Sequence, residues 1–227
     1  NMGWGRVKDI TYDDASGSTT LEAALVRRGI QATVEQGQWR FYYRVRRALP
    51  EMPAVSLLVL LAAGESEEQW YGRLVDFLAH ESLDIHCIAP GVSPDSVIPG
   101  QGRFRHQVHG HPVRDAASPA ALYNSVAREC NGRYLLFVAS GFVPDNGDWL
   151  RFLLEMAQAK DAGAVTGLLA AQENGEDRPE LAEKMSWRQY RRFFLEASRD
   201  LNNIYCEQNV LAAPVDLCLV RKDLFDQ

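Results

Sequence analysis

Val55-Ser-Leu-Leu-Val-Leu-Leu-Ala62 is an almost unbroken apolar run, and Leu135-Leu-Phe-Val138 is a shorter one. A strand with one wet face would alternate apolar and polar residues, so these runs read as strands buried on both faces. Such strands need helices above and below their sheet, and the sequence between them supplies helix signals. Ser66-x-x-Gln69 is a capping box ahead of a stretch that puts Trp70, Leu74, Phe77 and Leu78 on one face. Ser118-Pro119 offers a cap and a first-turn proline to a second helix, which closes at Asn131-Gly132. A third helix opens at Trp149-Leu150 and continues towards Ala159. Further strands are read at Asp84–Ala89 (ending at Pro90-Gly91), Gly163–Ala170 and Ala213–Val220. Strands alternating with helices predict an α/β fold with a mostly parallel sheet flanked by helices.

Two regions are expected. Residues 1–50 read as a small α+β lead-in and linker, and residues 53–227 as the α/β domain, with Pro50 and Pro53 marking the join. In the lead-in, Thr19-x-x-Glu22 is a capping box, Leu21, Leu25 and Val26 form an apolar stripe, and Gly29 ends the helix. Ala32–Glu35 and Trp39–Arg46 then read as two strands around Gln36-Gly37-Gln38. In the larger region, Asn174–Pro179 reads as a polar loop and Trp187–Leu201 as a helix. Asn1 before Met2, and an end just after an apolar run, suggest a fragment truncated at its C-terminus.

The formal net charge of -6 gives no basic footprint, so no nucleic-acid partner is expected. Cys87, Cys130, Cys206 and Cys218 lack the paired spacing of a zinc ribbon or a disulfide framework. Cys87 and Cys218 sit inside apolar runs and read as small core residues. No stretch approaches the ~20 apolar residues of a membrane span, and no signal peptide is visible. A cytoplasmic location fits, with the inner face of the membrane open to peripheral association. The segment behind that second option is Trp187-Arg-Gln-Tyr-Arg-Arg-Phe-Phe194, a basic helix with an aromatic side. A face packed on the sheet with solvated arginines explains the same pattern.

His106-Gln-Val-His109-Gly-His111 gathers three of the five histidines. Imidazoles suit zinc, copper or nickel. The segment also holds Gly110 and Pro112 and lacks a helical i, i+4 pair, so an exposed polar loop is the better reading. His86 reads as a core or edge histidine.

The passage Asn124-Ser-Val-Ala-Arg-Glu-Cys-Asn-Gly-Arg-Tyr-Leu-Leu-Phe-Val138 resembles the centre of family 2 glycosyltransferases. Pro53–Val59 resembles their opening strand, Gly163-Ala-Val-Thr-Gly167 a later one, and Leu217–Phe225 the strand and turn beyond. Leu21–Ala32, Tyr43–Arg46 and Leu49-Pro50 resemble the segment before one such domain in large tandem bacterial enzymes. The resemblance implies a Rossmann-like nucleotide-diphospho-sugar transferase fold (GT-A type) and a role in surface-polysaccharide synthesis. It also implies acids at two strand ends, one for the nucleotide and one for a divalent metal. Here those places read Ala89-Pro90 and Ala139-Ser140-Gly141, and the nearest acid after the former is Asp95. Asn124 matches the family's helix asparagine and could orient a nucleotide or simply satisfy backbone groups.

The expected function is therefore a glycosyltransferase-like domain without its own catalytic metal site, serving as scaffold or acceptor-binding module. No catalytic residue and no cofactor is assigned. The expected partners are a neighbouring glycosyltransferase domain of the same polypeptide and a glycan acceptor. An alternative keeps sugar transfer, with Mg2+ or Mn2+ held by rearranged acids, Asp95 with Asp145 or Asp148. Otherwise, Asp145 and Asp148 belong to a turn capping the Trp149 helix. A third reading is a protein-interaction domain whose pocket is filled by Leu60, Leu61 and Pro90.

Overall fold

The computed structural model describes residues 14–36, 43–78, 83–90, 92, 95–96, 106–113, 118–144, 146–167, 171–173, 176–178, 213 and 215–227. The chain divides into two compact units, Asn1–Glu51 and Met52–Gln227. In the first, helix α1 (Asp14–Arg27) is followed by strands β1 (Ala32–Gln36) and β2 (Tyr43–Arg47). The strands pair antiparallel from Ala32↔Arg47 to Gln36↔Tyr43. The helix begins before the Thr19 capping signal, so Thr19 and Glu22 lie inside it. An interior threonine costs less than about 0.7 kcal/mol relative to alanine, too little to force a helix start. The end at Gly29 agrees with the expectation. Gly29 has φ 68°, and the Ile30 amide donates to the Leu25 carbonyl at 3.0 Å, which closes the last turn.

The second unit holds a seven-stranded sheet. Its strands are β3 (Val55–Leu60), β4 (Leu83–Ala89), β5 (Asp95–Ser96), β6 (Gln107–Pro112), β7 (Tyr134–Ala139), β8 (Ala164–Val165) and β11 (Leu217–Arg221). Their order is β5-β6-β4-β3-β7-β11-β8. The four long central strands, β6, β4, β3 and β7, run parallel. The expectation of parallel pairing fails for β11, which pairs antiparallel with both β7 and β8. A strand's direction is not written in its apolar pattern, and only the connection before it could have told. The polar stretch read as a loop contributes β10 (Glu176–Arg178), paired antiparallel with β9 (Ala171–Glu173). Asn174-Gly175 between them is a favoured two-residue hairpin signal. The Trp187–Leu201 helix and Cys206 fall outside the described residues.

Helices cover both faces of this sheet. Helix α2 (Glu67–Leu74) carries the expected capping box, with Ser66 and Gln69 exchanging side-chain and backbone bonds. Helix α3 (Pro119–Glu129) starts on Ser118, whose hydroxyl accepts from the Ala121 amide. Helix α4 (Trp149–Ala157) leads to β8, and a short α5 (Lys222–Phe225) follows β11. On one face, Leu58, Ile88, Leu135, Phe137 and Cys218 pack with Tyr123, Val126, Ala127 and Cys130 of the α3 segment. The opposite face carries Leu57, Val59, Ile85, Cys87, Leu136, Val138 and Leu219, all buried. There the Tyr134 hydroxyl donates to the Ala157 carbonyl at the end of α4, at 3.4 Å. Cys87 and Cys218 are core residues, as read, and burial pushes their thiols up to about 12 and about 11.

Candidate functional site

In open α/β sheets, ligands bind beyond the carboxyl ends of the parallel strands. Here those ends are Leu60-Leu61 after β3, Ala89-Pro90 after β4 and Ala139-Ser140-Gly141 after β7. Each is closed by backbone bonds. The Leu61 amide donates to the Ile88 carbonyl at 3.0 Å, and the Val113 amide to the Ala89 carbonyl at 3.2 Å. The Phe142 amide returns to the Ala139 carbonyl at 3.0 Å, folding Ser140 and Gly141 into a tight turn. Gly141 is exposed, and a Cβ built there would meet nothing within 4 Å. Packing would therefore admit a carboxylate at this position, and the sequence places none.

Among the described residues, Tyr123, Arg73 and Glu65 reach this edge, and the Glu65 carboxylate accepts from the Ala62 amide at 3.4 Å. The Tyr123 hydroxyl, from α3, accepts the Leu60 amide at 3.2 Å. Burial holds its phenol above the ordinary range, with the nearby Asp216 charge adding to the effect and the Leu60 amide opposing it. Arg73, from α2, donates to the Ser140 carbonyl at 2.7 Å and pairs with Glu65. A guanidinium thus stands at the end of β7.

Asp216 is the acid that the sequence reading missed. Antiparallel pairing places the first residues of β11 beside the last residues of β7. The Ala139 amide donates to the Asp216 carbonyl at 2.8 Å. Its carboxylate oxygen Oδ2 is buried and has no hydrogen-bond partner among the described residues. The available signal was Asp216 at the head of an apolar run, which becomes informative once the strand is turned around.

The expected acids are not brought together. Asp95 stands on edge strand β5, separated from β7 by β6, β4 and β3. Asp148 is exposed at the start of α4, occupies the cap position and makes no capping bond with its side chain. Asp145 lies outside the described residues. Asn124 is on the exposed face of α3. A divalent cation takes several oxygen ligands. Among the described residues, this edge offers the Asp216 carboxylate, the Ser140 hydroxyl and the Glu65 carboxylate, and the last is engaged by the Ala62 amide and by Arg73. No group of three or more His, Cys, Asp or Glu side chains that could hold a metal ion occurs among the described residues. That set does not fit a phosphate-bridging metal.

Away from that edge, the sheet carries a partly buried polar chain that the sequence reading did not foresee. The expected histidine loop is strand β6, because parallel pairing with β4 carries Gln107–Pro112 into the sheet. His106 is buried, with Nδ1 3.0 Å from the Tyr71 hydroxyl. The Gly132 amide donates to Ser56 Oγ at 2.9 Å, and that hydroxyl donates to Asp84 Oδ2 at 3.0 Å. His86 Nε2 lies 2.9 Å from the same oxygen. His86 Nδ1 faces His111 Nε2 at 2.9 Å, and His111 Nδ1 lies 3.7 Å from Glu129 Oε2.

Two expected outcomes arise here. Tyr123→Phe leaves the Leu60 amide without its acceptor, which costs about 1–3 kcal/mol in urea denaturation. Burial alone would raise the Asp84 carboxyl, but the His86 bond and charge, Ser56 and its own backbone amide hold it below the usual range. Because the folded state binds this proton less tightly than the unfolded chain, Asp84 stabilises the fold above the ordinary aspartate range. That contribution fades as pH falls through the lowered value. Asp84→Asn therefore flattens the loss of stability between pH 5 and pH 3, as read from urea midpoints; an unchanged slope contradicts this.

No protein-family model and no curated protein matches this chain. Solved structures do. One is a mannosyltransferase from Pyrobaculum calidifontis in complex with GDP-Man and Mn2+, with 9% identity, TM-score 0.46, and coverage of 94% of this chain and 54% of that one. Another is glucosyl-3-phosphoglycerate synthase from Mycobacterium tuberculosis in complex with UDP, with 11% identity, TM-score 0.39, and coverage of 75% and 57%. The likeness is one of fold. This chain spans a little over half the length of the structures it matches. No helix among the described residues is long and apolar enough to cross a membrane.

Proposed function

We propose that this is a glycosyltransferase-like domain of surface-polysaccharide synthesis that does not turn over a nucleotide sugar. It serves as a scaffold or acceptor-binding module beside an active domain of the same polypeptide. The observation that carries this reading is the end of β7. Where a diphosphate-bridging metal would need carboxylates, the chain has Ala139, Ser140 and Gly141, with Arg73 bound to the Ser140 carbonyl. Tyr123 on the Leu60 amide supports it, since the phenol stands at the end of the neighbouring strand. A module of this kind works by holding its neighbours and a glycan in place. Calorimetric titration with UDP, GDP and dTDP in the presence of manganese tests the reading. The expected result is no binding in the micromolar range, and micromolar, metal-dependent binding would overturn it.

One observation favours a second reading, in which sugar transfer survives on rearranged acids. Asp216 presents a buried carboxylate oxygen beside Ala139 that has no partner among the described residues, and buried orphan acceptors call for an ion, a water or a ligand. Under that reading, Asp216→Asn abolishes whatever nucleotide binding the titration detects. Binding that survives the substitution removes this alternative.

A further inference from the structure

The chain Gly132–Ser56–Asp84–His86–His111–Glu129 links the base of α3 to strands β3, β4 and β6. Its hydrogen bonds fix their own direction. Asp84 accepts from Ser56 and, being a carboxylate, also accepts from His86 Nε2, so this nitrogen carries a proton. In the neutral ring, His86 Nδ1 is then a lone pair. The 2.9 Å contact to His111 Nε2 requires one proton, which His111 must donate. His111 Nδ1 is consequently a second lone pair, and it faces the Glu129 carboxylate at 3.7 Å. The neutral chain ends on two acceptors that cannot bond to each other.

One proton repairs the mismatch. It enters from solvent at the Glu129 end, where the glutamate side chain is 68% exposed, and forms an N–H bond at His111 Nδ1. The Nε2–H bond of His111 breaks as its proton passes to His86 Nδ1. His111 ends neutral with its tautomer inverted, its new Nδ1–H facing the Glu129 carboxylate 3.7 Å away. His86 ends as an imidazolium between the Asp84 carboxylate and His111. Every ring N–H of the pair then faces an acceptor rather than another N–H. A second proton on the pair is opposed, because burial and the His86 charge, then His109, hold His111 below the usual imidazole range against the pull of Glu129. The other groups facing the chain are His109, stacked on His86 with ring centroids 5.0 Å apart, and Cys130, near Ser56 and Asp84. Burial pushes the Cys130 thiol up to about 12, so it does not exchange protons here. Lys222, which also acts on Cys130, is held by the Ala127 carbonyl and Asp226.

We propose that His86 and His111 form a one-proton tautomeric switch that latches the last turn of α3 onto strand β6 through Glu129 when pH falls. The latch lies at the base of the helix that carries Tyr123 to the strand-end crevice. It stands independently of whether that crevice binds a nucleotide.

Long-range 1H–15N spectra of the histidine rings, recorded on the full 227-residue chain from pH 8 to 4.5, test the switch. At high pH both His86 and His111 should be Nε2–H tautomers. On acidification, His86 should become doubly protonated while His111 turns to the Nδ1–H tautomer, at one shared midpoint. Glu129→Gln, at an exposed position, should fold normally and lower that midpoint by about 0.2–0.7 pH unit, because it removes a screened carboxylate charge that favours the extra proton on the histidine pair. The proposal is overturned by separate midpoints, by a His111 that keeps its tautomer, or by an unmoved midpoint in Glu129→Gln.

Discussion

Phe137→Ala should lower the unfolding free energy by about 3–5 kcal/mol, the usual range for emptying a buried aromatic site. Phe137 is 5% exposed in the middle of β7. It pairs in register with Leu58 and Cys218 on the neighbouring strands. Its ring meets Tyr123 edge-on at 5.3 Å and Phe225 at 5.8 Å, and such pairs add about 0.5–1.5 kcal/mol beyond area burial. The loss therefore has three parts: transfer of the ring, the cavity it leaves, and two aromatic contacts. Tyr123 also loses its lateral support, so protection of the Leu60 amide against exchange should fall more than that of Val55 at the other end of the strand. Urea denaturation with an unchanged m value would give the magnitude. A loss below about 1 kcal/mol would mean that the α3 face repacks freely, against the close packing expected of such a core.

Gly132→Ala should cost about 2–5 kcal/mol through a different route. The backbone at Gly132 is not left-handed, so glycine is not needed for its φ. It is needed for space, because a Cβ there would press on the Ser56 amide nitrogen, the Ser56 hydroxyl oxygen and the Tyr134 carbonyl. Overpacking a tight site typically costs 1–3 kcal/mol. Displacing Ser56 Oγ also strands the Gly132 amide and removes a donor from Asp84, each a penalty of about 1–3 kcal/mol when left unmade. The two penalties share one displacement and do not simply add. Gly141→Ala provides the internal contrast. Nothing lies within 4 Å of its built Cβ, so thermal unfolding should change by no more than about 0.5 kcal/mol equivalent. Equal losses at both glycines would sink the steric argument.

These two glycines also show where sequence legibility ends. Both follow turn-like residues, and nothing in the chain distinguishes one that is wedged against a strand from one standing in open space. The parallel core was legible because burial on both faces leaves an almost wholly apolar run, as in Tyr134–Ala139 and, with Ser56 the one polar residue, Val55–Leu60. Helix starts at Ser66 and Ser118 were legible because capping is local chemistry. Strand direction was not, and that hid Asp216, whose place beside Ala139 exists only because β11 runs antiparallel. The histidine segment was misread for a related reason. An alternating His-x-His pattern is polar by composition, yet it becomes a strand when a partner strand supplies the opposite ends of its hydrogen bonds. His86 and Asp84, two residues apart on β4, point to the same face as His109 and His111, and no local pattern in β6 announces that neighbour.

The direct test of the central claim, that the end of β7 does not build a cation site of its own, is electron paramagnetic resonance of Mn2+ titrated with the protein, with and without GDP. The expected result is a six-line signal of the free ion that the protein leaves undiminished beyond the effect of GDP alone. Loss of that signal on adding protein, restored by Asp216→Asn, would contradict the claim and establish a working metal site on an acid from the neighbouring strand.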